Sequence, residues 1–136
     1  MTRYMLDTNA ISLLIRADPT VSRRVTTTPM ASLCMSAITL GELLFGLAKR
    51  PGATRLHLAV RELLRRIDVL PWDSATAERY GTIRASMTRQ GKVLAPLDLL
   101  IAAHALSLEA VLITNDRAFG MVDTLPTEDW STDQAS

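Results

Sequence analysis

Four acidic residues stand where a carboxylate is costly: Asp7, Glu42, Asp98 and Asp116. Asp7 directly follows the apolar run Tyr4-Met5-Leu6, and Asp116 follows Val111-Leu112-Ile113-Thr114-Asn115. Glu42 is the one charge in the stretch 37–45, and Asp98 the one charge in the stretch 96–103. Burying a carboxylate without a partner costs roughly several kcal/mol. No Lys or Arg lies within a helical turn of Glu42 or Asp98, so positive charge must reach them from elsewhere. A divalent cation supplies it, and a set of hard oxygen donors suits Mg²⁺ or Mn²⁺. Each acid also has a plain structural role open to it. Asp7 could cap a helix, Asp116 could sit in a turn, and Glu42 and Asp98 could be N-terminal helix acids favoured by the dipole. Four such coincidences on one scaffold are harder to accept than one shared site.

The elements that would position these acids alternate regularly. Strand candidates lie at 3–6, 32–36, 67–70 and 111–114, with a short edge strand near Thr124 and Leu125. Helices are expected from Thr8 or Asn9 as cap through about 16, from Asp18-Pro19, over 38–49, 55–66 and 97–108, and from Asp73 or Ser74 through 89. Leu40, Leu43, Leu44 and Leu47 form one apolar stripe, and Leu56, Val60, Leu63 and Leu64 another. Tyr80, Ile83 and Met87 mark the inward side of the helix ending at 89. Alternating strands and helices imply an α/β fold, a three-layer sandwich around a parallel sheet of about five strands. Ligands bind such sheets at the carboxyl ends of the strands. Asp7 and Asp116 are placed at two such ends, so they can meet although far apart in sequence.

Composition narrows the function classes. The chain has 136 residues, which fits a single domain spanning 1–136 with a real core. Aromatic residues make up only 4%, so base-stacking platforms are not expected. The single cysteine, Cys34, excludes an internal disulfide and reads as a buried hydrophobe. That fits a reducing, cytoplasmic setting. No secretory leader or membrane span is expected, because Asp7 interrupts the first apolar run and Pro29 breaks the uncharged stretch 25–41. The net charge is +1. An acidic pocket holding a cation would leave the rest of the body more basic, which suits a polyanionic substrate. Neither histidine reads as a catalyst: His57 sits among arginines, and His104 lies six residues beyond Asp98, pointing away from it on an ideal helix. Arg61, Arg65 and Arg66 read as a solvated face, and Arg89 and Lys92 are left open as phosphate contacts.

At these same residues the chain resembles the PIN-domain nucleases, and among them the VapC-type toxins. The resemblance rests on Met5-Leu6-Asp7-Thr8-Asn9 with Ile11-Ser12, on Ser36-Ala37-Ile38-Thr39-Leu40-Gly41-Glu42-Leu43-Leu44-Phe45-Gly46, on Pro96-Leu97-Asp98-Leu99-Leu100-Ile101-Ala102-Ala103-His104-Ala105, and on Thr114-Asn115-Asp116 with Phe119. Glu128-Asp129-Trp130 near the end is similar to the family's close. Single motifs are weak; the ordered set is specific. The resemblance implies a PIN-like five-stranded parallel sheet and a Mg²⁺- or Mn²⁺-dependent endoribonuclease acting on structured RNA, tRNA or rRNA. It implies a toxin neutralised by a VapB-type antitoxin, a homodimer, and contact with DNA only through the antitoxin complex. Carried over position by position, Asp7, Glu42, Asp98 and Asp116 match the acidic quartet, and Asn9 and Thr114 match polar residues lining it. The fourth motif is more compact than in many relatives, which leaves open whether Asn115 or Asp116 faces the metal. Leu97 stands where many relatives have Asn.

Other chemistries fit less well. A phosphatase of the haloacid-dehalogenase type needs a second Asp two residues after the first, and Asn9 is there. A receiver domain needs an early acid pair and a late Lys, whereas Asp7 stands alone and Arg117 is the late base. A domain that binds RNA or its antitoxin without cutting is the non-enzymatic alternative.

Overall fold

Tyr4-Met5-Leu6 forms the central strand of the sheet, because its alternating side chains find apolar partners on both faces. In the computed structural model, which describes residues 1–132, this is β1 (Tyr4–Leu6). It is followed by α1 (Thr8–Ile15), α2 (Pro19–Thr27), β2 (Leu33–Ser36), α3 (Ala37–Lys49) and α4 (Thr54–Arg66). Then come β3 (Asp68–Leu70), α5 (Ser74–Arg89), α6 (Pro96–Ser107), β4 (Val111–Ile113) and β5 (Thr127–Glu128). The five strands are all parallel, in the order β3-β2-β1-β4-β5. The chain builds outward from β1 in one direction through β2 and β3, then returns to the other side of β1 with β4. The reversal makes β1 and β4 flank a topological switch point, where open sheets of this kind hold their ligands.

Side-chain alternation sorts the core into two layers. Met5, Cys34 and Leu112 face the side covered by α5 and α6, packing with Met87, Ile101, Ala105 and Phe119. Their neighbours Leu6, Leu33, Met35 and Ile113 face the other side, against Ile11, Val21, Val25, Leu43, Leu63 and Trp130. A one-residue slip would exchange the two sets, so the registers Tyr4↔Val111 and Tyr4↔Leu33 are held by both cores at once. Helix α3 touches both: Ile38 packs with the first cluster and Leu43 with the second. It therefore straddles the end of β2, which is what places Glu42. Burial pushes the Cys34 thiol up to about 11, leaving it a neutral core group. Among the described residues no helix is long and apolar enough to cross a membrane.

Three local expectations change. The edge strand forms at Thr127–Glu128, pairing with Leu112 and Ile113, rather than near Thr124 and Leu125. Thr124 instead takes a positive φ of 65°, a turn conformation that takes it out of the ladder. The cap of α1 is Asp7, not Thr8 or Asn9, because the extended last step of β1 serves directly as the helix's first non-helical residue. Leu44 and Leu64 do not face inward: they are 49% and 36% exposed. Each lies 100° around the helix from a buried neighbour, Leu43 or Leu63, which carries the packing instead.

Candidate functional site

Asp7 is tethered at both ends of its environment. Its backbone N–H donates to the Ile113 carbonyl at 3.0 Å, which fixes the end of β1 against the end of β4. Its Oδ1 accepts from the Ala10 N–H at 2.7 Å, closing the first turn of α1. The Thr114 hydroxyl donates to the same carboxylate. Despite these donors, burial pushes the Asp7 carboxyl up to about 6, with Asp98 and Asp116 adding to the rise. Only 3% of Asp7 is exposed.

Beyond β4 the chain turns through Thr114 and Asp116. The Asp116 N–H donates to Thr114 Oγ1 at 3.0 Å, and Asp116 Oδ1 accepts from the Ala118 N–H at 2.9 Å. This caps a 3-10 turn, Arg117–Met121. Thr114 thus links the two acids, receiving from the backbone of Asp116 and giving to Asp7. Asn115 is exposed, while Asp116 is half-buried and electrostatically coupled to Asp7 and Asp98.

Glu42 and Asp98 arrive from helices. Glu42 is the sixth residue of α3, past the first turn, so the dipole of α3 does not account for it. Its Oε1 accepts from Thr8 Oγ1 at 2.8 Å, which ties α3 to the turn between β1 and α1. Asp98 lies in the first turn of α6, where the dipole does favour an acid. Burial raises its pKa, and Asp116 and then Glu42 raise it further. The four predicted acids come from four elements and are coupled electrostatically, Asp7 with Asp98 and Asp116, and Asp98 with Asp116 and Glu42. Among the described residues no three acid, imidazole or thiol groups close into a compact metal cage; Glu42 stands at the edge of the row.

The donor set is chemically uniform. It offers carboxylate oxygens with threonine hydroxyls behind them, and no imidazole or thiolate. That is the set that Mg²⁺ and Mn²⁺ take in preference to softer metals. Among the described residues the recorded salt bridges join Arg24 to Glu128, Arg65 to Glu62 and Lys92 to Asp123, and none involves the four acids.

The remaining candidates divide. Asn9 is exposed and lines an open cleft of about 500 Å³ that runs from Glu42 between α1, α3 and α4, with Arg16, Lys49 and Arg50 along it. Thr114 is buried against Asp7. Arg61, Arg65 and Arg66 are exposed on α4, and Arg65 pairs with Glu62 at 2.9 Å, as a solvated face does. Arg89 is exposed, and Lys92 is occupied by Asp123 and the Met121 carbonyl. His57 is half-buried and bonded to the Arg50 carbonyl at 3.0 Å. His104 is 1% exposed and packs across to β2, its Nδ1 at 2.8 Å from Ser36 Oγ. Thr8, expected from the sequence only as a cap, holds Glu42 instead. Its signal was present, since it adjoins Asp7 and begins a helix facing the acid-bearing α3.

Comparison with known proteins places the chain among sequences of matching length. A family model described as PIN domain matches residues 4–125. The chain is similar to the tRNA(fMet)-specific endonuclease VapC of Shigella flexneri, with 39% identity over 132 residues, 96% of this chain and 100% of that one. It is similar to Ribonuclease VapC2 of Haemophilus influenzae, with 34% identity over 131 residues, 96% of this chain and 99% of the relative. The crystal structure of DNA-bound VapBC from Salmonella typhimurium contains a chain that matches with a TM-score of 0.89 and 35% identity, over 96% of this chain and 99% of that one.

Proposed function

The chain belongs to the PIN-domain family, among its VapC-type members, and from that membership and the acidic row we propose that it is a metal-dependent endoribonuclease. In the cell it acts as an RNA-cleaving toxin that a VapB-type antitoxin neutralises. The observation that supports the reading is the electrostatic coupling of Asp7 with Asp98 and Asp116, and of Asp98 with Glu42, at the switch point of the sheet.

Asp7, Glu42, Asp98 and Asp116 would hold one or two Mg²⁺ or Mn²⁺ ions. A divalent cation bound there supplies Lewis acidity toward a phosphodiester and an acidified water as nucleophile. The protein's own part is orientation. The Ala10 N–H and Thr114 hydroxyl fix Asp7, the Thr8 hydroxyl fixes Glu42, and the Ala118 N–H fixes Asp116. Each carboxylate keeps oxygen lone pairs beyond these donors. Asn9, Arg16, Lys49 and Arg50 along the neighbouring cleft offer an amide and three cations to an RNA backbone, which is how such proteins gain sequence-independent affinity. The substrate class is structured RNA, tRNA or rRNA. The acting form is a homodimer in the cytoplasm, and DNA is met only in complex with the antitoxin.

The test is cleavage of total tRNA by the purified protein with Mn²⁺ or Mg²⁺, with and without EDTA, beside Asp98→Asn. Discrete fragments that need metal and vanish in the variant are expected. Intact RNA in every metal, from protein that binds Mn²⁺ normally, would mean that the site serves another substrate.

A further inference from the structure

Among the buried polar groups that are not acids, two lie on the helices that carry Glu42 and Asp98 and pair with each other: the imidazole of His104, 1% exposed, and the hydroxyl of Ser36, 0% exposed. They meet at 2.8 Å between His104 Nδ1 and Ser36 Oγ. Ser36 ends β2 and is the N-cap of α3, its Oγ accepting from the Ile38 N–H at 3.1 Å. A hydroxyl that accepts from a backbone N–H has its own hydrogen free to donate. The complementary partner is an unprotonated Nδ1, so the proton of the neutral ring belongs on Nε2. Burial holds the ring's pKa below the ordinary histidine value, and the nearby Pro71 carbonyl offers an acceptor for a ring N–H. The same segment after β3 clamps α6 a second time, through Trp72 Nε1 donating to the Leu100 carbonyl at 3.0 Å.

The position of this contact gives it its meaning. Along α3, Ser36 precedes Glu42 by six residues; along α6, His104 follows Asp98 by six. Ser36 meets His104 at 2.8 Å, and Glu42 is coupled electrostatically to Asp98. The two helices therefore pass each other in opposite senses, with the two contacts separated by about 9 Å of helix axis at 1.5 Å per residue. A latch at one end of such a pair sets the register at the other.

We infer that His104 is a positioning residue for the acidic site: as the neutral Nε2–H ring it accepts from Ser36 at Nδ1 and so locks α3 against α6, holding Glu42 opposite Asp98. This rests on the reading of the acids as a metal site. Groups beyond the ligands that hold them in place typically change metal affinity by about 10–100-fold when removed, and His104 acts here without touching the metal.

Two substitutions separate the latch from simple packing. His104→Asn places an amide oxygen near the Nδ1 position and can still accept from Ser36. His104→Gln reaches the Nε2 position and gives up the Ser36 contact. Both remove part of a buried ring, so both lower thermal stability. Mn²⁺ affinity of the full chain, measured by calorimetry on folded protein, is expected to fall about tenfold in His104→Gln and in Ser36→Ala, and to stay near wild type in His104→Asn. Long-range ¹H–¹⁵N spectra of the wild type are expected to show His104 in the Nε2–H tautomer, a readout that needs no metal. Equal Mn²⁺ affinities in His104→Asn and His104→Gln, or an Nδ1–H tautomer, would overturn the latch while leaving the metal site standing. Wild type that binds no Mn²⁺ would overturn the metal reading and the latch with it.

Discussion

Asp7 caps α1, and the metal-binding role proposed for it pulls against that one. As a helix cap it needs only an acceptor for the Ala10 N–H, which Asn supplies as well as Asp. As the proposed metal ligand it would need its charge, and burial, with Asp98 and Asp116 adding to it, makes that charge unfavourable, raising its pKa from 3.8 to about 6. A raised carboxyl pKa means that the folded state binds the proton more tightly than the unfolded chain. The associated stability is present below pH 3.8 and is lost as pH rises through about 6. A shift of this size corresponds to roughly 3 kcal/mol as an upper figure. Asp7→Asn is therefore expected to cut RNA cleavage by about 100-fold or more, yet to stabilise the metal-free protein at pH 7.5 by about 2 kcal/mol. Urea unfolding in EDTA checks this. The gain should shrink toward zero at pH 4, where wild-type Asp7 is itself protonated. His104, held below its ordinary pKa by burial, acts in the opposite sense: its stability is present above pH 6.5 and is lost as pH falls. It is common to both proteins and cancels in the difference. A variant no more stable than wild type at pH 7.5 would show that Asp7 is not strained by its neighbours.

At the scale of elements, α3 decides what could be read in advance and what could not. Its existence, its partner β2 and the acid within it were legible, because a lone charge in an apolar helical pattern is conspicuous in one dimension. What Glu42 touches was not legible, since Thr8 lies thirty-four positions away and no periodicity encodes that distance. Ser36 and His104 were hidden for the same reason: each looks ordinary in its own segment, and only the meeting of α3 with α6 makes them a pair. The faces of α3 and α4 were read too widely, because Leu44 and Leu64 satisfy a hydrophobic count without reaching the core. The family's motif order points to the four acids, but it does not say that Thr114 stands between Asp7 and Asp116. Two substitutions beside Glu42 follow from these contacts. Thr8→Val keeps the volume and removes the donor to Glu42 Oε1, so cleavage at saturating Mn²⁺ should fall about tenfold with little loss of thermal stability, since a half-buried hydrogen bond contributes about 1 kcal/mol. Thr39 lies three residues before Glu42, 0% exposed, with a hydroxyl that has no partner among the described residues. Thr39→Val should therefore stabilise the protein by about 1 kcal/mol in a denaturant titration, because an unpaired buried hydroxyl is a net cost. A destabilised Thr39→Val would mean that the hydroxyl has a partner after all.

Considered whole, the molecule gathers its most unfavourable charges where its topology reverses. Parallel strands bring Asp7 and Thr114 to the same carboxyl end of the sheet, and α3 and α6, far apart in sequence, carry Glu42 and Asp98. Hydrophobic packing on both faces holds this end of the sheet together, so the core opposes the repulsion that the acids create. A cation bound among them relieves that repulsion in the folded state only, and the whole protein should become more stable by RT ln(1 + [Mn²⁺]/Kd), or about 2.7 kcal/mol at a hundredfold excess over Kd. The gain must depend on pH, because the cation and the proton compete for the same carboxylates. With Asp7 titrating near 6 and Asp98 also raised, a fixed Mn²⁺ concentration should raise the melting temperature substantially at pH 7.5 and only slightly at pH 5. Excess EDTA should abolish the rise at both. Scanning calorimetry at the two pH values, with Asp7→Asn alongside, is the direct check. The variant should lose most of the Mn²⁺-induced rise at pH 7.5, because the carboxylate that competes for the proton is the one removed. An equal rise at pH 5 and pH 7.5 would place the cation elsewhere on the surface, bound by carboxylates of ordinary pKa, and would separate the acidic row from metal binding.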